Sequence, residues 1–339
     1  MPSPQSTVPP QAILMEMISG TWRAQALHVA AYLGIADLLA TGPRSAADLA
    51  RATSTNGDCL HRLLRALASV GVFAEDDSGR FALTPLAEPL RADVPGSIRP
   101  ALLMMGPAFY RAWGELLHSI RTGETAFNQV FGKGFFDYLA ERPKEAATFD
   151  AAMTAIHGAE TEPMLDAYDF SRFGTLVDMG GGNGSNLLAV LKRHPKLRGV
   201  LFDLPHVVDR ARANIRAAGL EDRCTAVGGS FFETAPPGDA YILRHIIHDW
   251  DDDRSIAILR SCRRAMNPGA KLLVVESVIP PGNTPFTAKW LDLNMMVIPG
   301  GLERTEAQYR ALYEKAGWRL TRIVPTRLET SVVEGEAVP

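Results

Sequence analysis

Cysteine is almost missing from this chain: Cys59, Cys224 and Cys262 are the only three in 339 residues, and no two form a CxxC pair. An odd, scattered set supports neither a disulfide framework nor a cysteine-built zinc site, and it reads as reduced thiols in a cytoplasmic protein. An excess of basic charge is missing too. Lysine and arginine total 35 against 38 acids, net −3, so the positive field that binds nucleic-acid backbones is absent and no nucleic-acid partner is expected. Long hydrophobic runs are also lacking. The longest, Leu27 to Ala40, is broken by His28 and Asp37, too short for a membrane span, and the opening MPSPQSTVPPQ has no secretory pattern. No GxxxxGK[ST] occurs, which argues against a P-loop nucleotidase. What remains, 46% hydrophobic and 22% charged residues, is an ordinary globular composition long enough for about two domains.

The chain falls into a short tail and three stretches. Residues 1–10 carry four prolines and no charge, as in a flexible tail. Residues 11–100 are helical and alanine-rich. Within them Ser45 can cap one helix, and Asn56 or Asp58 a second bearing Leu60, Leu63, Leu64, Leu67 and Val70 at helical spacing. Gly71 stops that helix, and the turn Asp76-Asp77-Ser78-Gly79 joins two short apolar runs into a hairpin. Two helices and a hairpin outline a winged helix. Residues 101–165 are helical with spaced aromatics, a linker that can contribute to a substrate pocket. From 166 to 339 short apolar strands alternate with helical segments, predicting a doubly wound, mostly parallel α/β sheet. The expected strands are Thr175–Met179, Gly199–Phe202, Cys224–Val227, Ala240–Leu243, Lys271–Glu276 and Leu320–Val324.

Leu176-Val177-Asp178-Met179 runs into Gly180-Gly181-Gly182-Asn183-Gly184 and then a helix. Such a turn lets a ligand approach the backbone and the positive helix end. Ser185 stands where GxGxxG would need its third glycine, so the pattern is GxGxG. Asp203 closes the next strand, 23 residues past Gly180, where an acid can hold a ribose diol and disfavours a 2′-phosphate. The pair indicates an adenosine-type cofactor; a plain βα turn and an Asp capping the next helix are the structural alternatives.

The fourth expected strand leads into Arg244-His245-Ile246-Ile247-His248-Asp249-Trp250-Asp251-Asp252. Carboxyl ends of parallel strands bind ligands, and histidine can take a proton near neutral pH. Two histidines at i, i+3 beside acids also fit a metal, but no third ligand stands at diagnostic spacing, so no metal is expected. Glu276 ends the fifth strand, and Glu303 follows Pro299-Gly300-Gly301-Leu302; a solvated acid opening a helix is the other reading of Glu303.

The succession LVDMGGGNG, LFDLPHVV, VGGSFF, YILRHIIHDWDD, LLVVESVIP and GGLERTEAQYRALYEKAGW resembles the class I S-adenosylmethionine-dependent O-methyltransferases of the caffeate and bacterial aromatic-polyketide type. The resemblance spans nearly the whole chain. It implies a homodimer built on the winged-helix portion and S-adenosylmethionine as cofactor. The expected reaction is O-methylation of a small aromatic secondary metabolite, on a phenolic hydroxyl. It places Gly180 and Gly182 at the methionine end of the cofactor, Asp203 at the ribose, Ser230 and Phe231 at the adenine, and Arg244 nearby. His248 would be the general base, with Glu276 and Glu303 flanking it and orienting its ring. Phe149, Met153, Asp249, Leu293 and Asn294 would line the acceptor pocket. Asn294 sits in an apolar helix-like run, and a bond to a neighbouring backbone carbonyl is its structural alternative.

Three rivals stand beside this reading. A winged-helix DNA-binding regulator conflicts with residues 1–100, which hold eight arginines, no lysine and nine acids. A same-fold enzyme that hydroxylates instead conflicts with the intact His248-Asp249-Trp250. Methylation at carbon or nitrogen is compatible with the same fold.

Overall fold

A computed structural model describes residues 8–338, which divide into two compact units. One holds the chain up to Arg111 together with Leu139–Gly158; the other holds Ala112–Tyr138 and everything from Ala159 onward. The helical stretch 101–165 is thus shared between the units. Residues 1–7 of the expected tail lie outside the described residues, and Pro10 already opens a helix, Pro10–Ile18. Among the described residues no helix is long and apolar enough to cross a membrane.

The first unit contains the expected winged helix. Ser45 accepts the Asp48 N–H at 3.1 Å and caps Ala46–Thr53, while Asn56 accepts the Cys59 N–H at 3.0 Å and caps Gly57–Ala68. Leu60, Leu64 and Leu67 are buried on one stripe; Leu63 is half-buried, and Val70 falls beyond the helix and is exposed. β1 (Arg44–Ser45), β2 (Phe73–Glu75) and β3 (Arg80–Leu83) form a small antiparallel sheet in the order β1-β3-β2, turned by Asp76, whose carboxylate accepts the N–H groups of Ser78 and Arg80. Helix Pro143–His157 packs on Arg99–Met104 in this unit and carries Phe149 and Met153, both half-buried.

The second unit is built on a twisted sheet. β4 (Thr175–Met179), β5 (Arg198–Asp203), β6 (Cys224–Gly228), β7 (Ala240–Arg244) and β8 (Lys271–Ile279) are parallel, in the order β6-β5-β4-β7-β8. β9 (Arg304–Thr305) adds a short parallel pair to the end of β8. β10 (Trp318–Pro325) and β11 (Thr330–Ala337) close the other edge, with β11 antiparallel between β8 and β10. Strand side chains alternate between two cores, Ile242 and Leu273 on one face and Tyr241, Leu243 and Leu272 on the other. The order reverses at β4, so the carboxyl ends of β4, β5 and β7 meet where open α/β sheets bind ligands.

Candidate active site

β4 ends on Asp178-Met179, and the chain turns through three glycines with positive φ, Gly180 (72°), Gly182 (56°) and Gly184 (83°), into helix Ser185–Arg193. At Gly180 a side chain would collide with Ile246; at Gly182 no atom lies within 4 Å of where one would stand. Gly180 is therefore required for packing, whereas Gly182 presents bare backbone to open space. Asp203 ties this turn to the end of β5. Its Oδ2 accepts the Gly182 N–H at 2.8 Å and its Oδ1 the Leu204 N–H at 2.7 Å.

Beneath the turn, Asp178 is 3% exposed and its Oδ2 has no hydrogen-bond partner. Burial pushes its pKa up to about 7, Arg244 pulling against the shift and Asp203 adding to it. Phe231 lies beside the turn, 3.6 Å from the Gly180 side-chain position, and packs edge-on against Phe232 and Trp250. Ser230 is half-buried, and its carbonyl accepts the N–H groups of Glu233 and Thr234. Arg244 donates to Asn186 at 3.1 Å, Thr161 at 2.9 Å and Glu160 at 3.1 Å.

After β7 the backbone enters a tight turn in which His245 holds a left-handed φ of 52°, unusual outside glycine and a form of strain found at functional sites. The two histidines lie close, their ring centroids 5.2 Å apart, but take different partners. His245 Nε2 meets Glu160 Oε2 at 2.6 Å, whereas His248, 5% exposed, puts Nδ1 on Glu303 Oε1 at 2.6 Å. His248 Nε2 stands 3.7 Å from Asp249 Oδ1. Burial opposes an imidazolium here. The charges of Asp249, Glu303 and Glu276 outweigh it and raise the His248 pKa to about 10, while Asp249 is raised chiefly by burial.

Glu276 departs from the expected arrangement. It does not flank the ring: Oε1 accepts the backbone N–H groups of Ile246 (3.1 Å), Ile247 (2.7 Å) and His248 (3.1 Å), and Oε2 accepts the Tyr309 hydroxyl. The reason is local. Three N–H groups converge on Glu276, within β8, as the 246–248 turn opens, and its buried carboxylate is their available acceptor. Of the two glutamates, Glu303 is the one hydrogen-bonded to the imidazole.

Two further groups hold the turn. Arg304, fully buried, donates to the carbonyls of Ile247 (3.1 Å) and Trp250 (3.0 Å) and to Asp252 (2.9 Å). Gly301 lies so close that a side chain would run into the His248 carbonyl and the 249–250 peptide, and Leu302 N–H bonds the His248 carbonyl at 2.9 Å. Asp292, on helix Ala288–Val297, accepts the Glu303 N–H at 2.9 Å. Leu293 and Asn294 are half-buried on that helix, and the Asn294 Oδ1 accepts the Trp113 indole N–H at 2.9 Å, so its partner is a distant side chain and not a neighbouring carbonyl.

Comparison with known proteins bears on this geometry. Residues 113–319 match the model of the O-methyltransferase domain, and residues 15–93 that of the O-methyltransferase dimerisation domain. The chain belongs to the O-methyltransferase family. It is 47% identical to phenazine O-methyltransferase PhzM of Lysobacter antibioticus, over 98% of this chain and 97% of that one. It is 42% identical to the mitomycin biosynthesis 6-O-methyltransferase of Streptomyces lavendulae, over 91% and 89%. Among solved structures it matches the O-methyltransferase NcsB1 of neocarzinostatin biosynthesis, in complex with S-adenosylmethionine and 2-hydroxy-5-methyl naphthoic acid, with a TM-score of 0.84 and 36% identity over 93% and 96%.

This O-methyltransferase is accordingly an S-adenosylmethionine-dependent enzyme of the secondary-metabolite type. Its glycine turn suits that cofactor chemically. Asp178 offers a buried carboxylate oxygen without a donor, Asp203 an acid at the strand end, Gly182 open backbone, and Phe231 an aromatic face. Sequence reasoning missed Asp178, Arg304 and Tyr309. Asp178 had a signal, an acid inside an apolar strand directly before the glycines.

Proposed function

We propose that this O-methyltransferase methylates a phenolic hydroxyl of a small, flat aromatic metabolite, with His248 as general base. The observation that carries the reading is the 2.6 Å bond from Nδ1 to Glu303, which leaves Nε2 as the nitrogen able to take a proton at the strand end beside the glycine turn. S-adenosylmethionine, when bound, supplies a methyl group already activated on positive sulfur. The protein's own work is then to align the acceptor oxygen and receive its proton. His248 Nε2 accepts that proton while Glu303 fixes the tautomer and stabilises the imidazolium. A phenol titrates near about 10, close to the about 10 to which His248 is raised, so the proton moves between matched partners.

In this reading Gly180 and Gly182 face the methionine end of the cofactor, Asp203 the ribose, and Ser230 and Phe231 the adenine, with Arg244 backing the turn. Asp249, Leu293 and Asn294, all in the second unit, face the acceptor. No metal takes part. The enzyme works as a cytoplasmic homodimer through residues 11–100; supporting this, helix Pro10–Ile18 buries none of its residues and exposes Leu14, Met15, Met17 and Ile18.

The phenazine relative makes hydroxylated phenazines the first acceptors to test. Incubation with methyl-labelled cofactor should yield a labelled aryl methyl ether and one S-adenosylhomocysteine per product, unchanged by EDTA. Label found only on amines or on carbon, or turnover abolished by chelation, would contradict the reading.

A further inference from the structure

We propose that Tyr309 is a positioning residue for methyl transfer: acting through Glu276, it holds the turn that presents His248. The argument begins with the number of anchors. Glu276 Oε1 is shared by three backbone N–H groups, those of Ile246, Ile247 and His248, at 2.7–3.1 Å. The terminal torsion of a glutamate is soft and roughly two-fold, so contacts at one oxygen leave the carboxylate plane free to swing. Oε2 is the second anchor, and its donor is the Tyr309 hydroxyl. Both side chains are fully buried, so no solvent shell can replace that donor. Tyr309 therefore fixes the carboxylate, the carboxylate fixes three consecutive amides, and the last of these belongs to His248.

The same helix supplies an internal contrast. Tyr313, one turn later on helix Glu306–Lys315 and equally buried, spends its hydroxyl on the Val333 carbonyl of β11 at 2.8 Å, a contact from helix to sheet. Two tyrosines on one helix thus differ in what they hold: Tyr313 a strand, Tyr309 the site. Charged and titratable groups around the Glu276–His248 pair include Asp249, Glu303, Arg304, Tyr313 and His245, the last with its ring centroid 5.2 Å from that of His248. Burial raises the Glu276 pKa, and the Tyr309 hydrogen bond acts against that rise. Without Tyr309 the carboxyl protonates more readily, and the imidazolium loses an opposing charge.

Because the inference rests on His248 being the base only for its kinetic consequence, the test uses a readout independent of turnover. The His248 ring is titrated by NMR in wild type, Tyr309→Phe, Glu276→Gln, the double variant and Tyr313→Phe, with cofactor affinity measured alongside as a check on folding. Tyr309→Phe should move the His248 titration to lower pH and lower kcat about tenfold, the loss expected for one charge-assisted hydrogen bond. Cofactor affinity should hold. Glu276→Gln should move the titration the same way, and the double variant should match it without further change. Tyr313→Phe should lower Tm and leave the titration in place. An unmoved titration in Tyr309→Phe, or additive effects in the double variant, would overturn the inference. A shifted titration in an enzyme whose His248→Ala variant still turns over would sink the general-base reading while leaving the Tyr309–Glu276 couple intact.

Discussion

Gly301→Ala tests whether the alignment of Glu303 on His248 is what the site depends on, and its effect can be worked from the backbone. The added methyl would enter the space of the His248 carbonyl and the Asp249 carbonyl carbon, and stand 2.7 Å from the Trp250 nitrogen. Carbon contacts relax at about 3.5 Å or more, so the 299–304 segment must retreat by roughly 1 Å. All three colliding groups are backbone, so a rotamer change cannot absorb the methyl. Retreat stretches the Leu302–His248 bond of 2.9 Å and draws Glu303 away from Nδ1, now at 2.6 Å. Misplacement of about 1 Å costs on the order of 10²-fold in rate, and overpacking of this kind costs roughly 1–3 kcal/mol in stability. Steady-state assay of the purified variant should therefore give kcat reduced about 10²-fold, with cofactor affinity by calorimetry unchanged, since the glycine turn lies on other strands. A folded Gly301→Ala enzyme with wild-type kcat would refute the reasoning.

Asp203→Ala should weaken cofactor binding by ~1.5–3 kcal/mol, as charge-assisted bonds and the brace on Gly182 are lost; equal calorimetric affinity would remove Asp203 from the site. The raised His248 pKa predicts that kcat/KM climbs through neutral into alkaline pH, because the base must be unprotonated and its titration lies above the ordinary histidine range. Glu303→Gln, by removing one of the charges responsible, should shift that ascending limb to lower pH and reduce its plateau; a profile with no ascending limb would contradict this. Asn294→Leu leaves the Trp113 indole without its acceptor and should raise the acceptor KM or change regiochemistry while sparing cofactor affinity. Loss of folding instead would mark Asn294 as structural.

The parallel strands were legible because each is a continuous run of apolar residues bounded by glycine, proline or a charge. Thr175–Met179 matches its expected limits, and the others differ by a few residues at their ends. β11 escaped notice because Glu334 and Gly335 interrupt its apolar run. In the structure Glu334 is buried against Tyr168, Arg172 and Arg322, and Gly335 leaves room for the Tyr313 ring, where an added methyl would sit 2.7 Å away. The family resemblance brought His248 and Glu303 into one reading, and the fold joins them. The duty of Glu276 was not legible. Strand-end position says an acid is present, whereas its ligands are amides of a turn whose geometry depends on the left-handed His245. Arg304 and Tyr309 were hidden for a similar reason, since their partners lie 33 to 57 residues away.

The most direct test of the central claim is the single-turnover rate of His248→Ala with a phenolic acceptor, measured with cofactor binding on the same preparation. Removing the proton acceptor while sparing the glycine turn should lower the rate by ~10²–10⁴ and leave cofactor affinity unchanged. His245→Ala, whose ring is held on Glu160, should cost much less. A His248→Ala enzyme that methylates a phenol at near the wild-type rate would contradict the account.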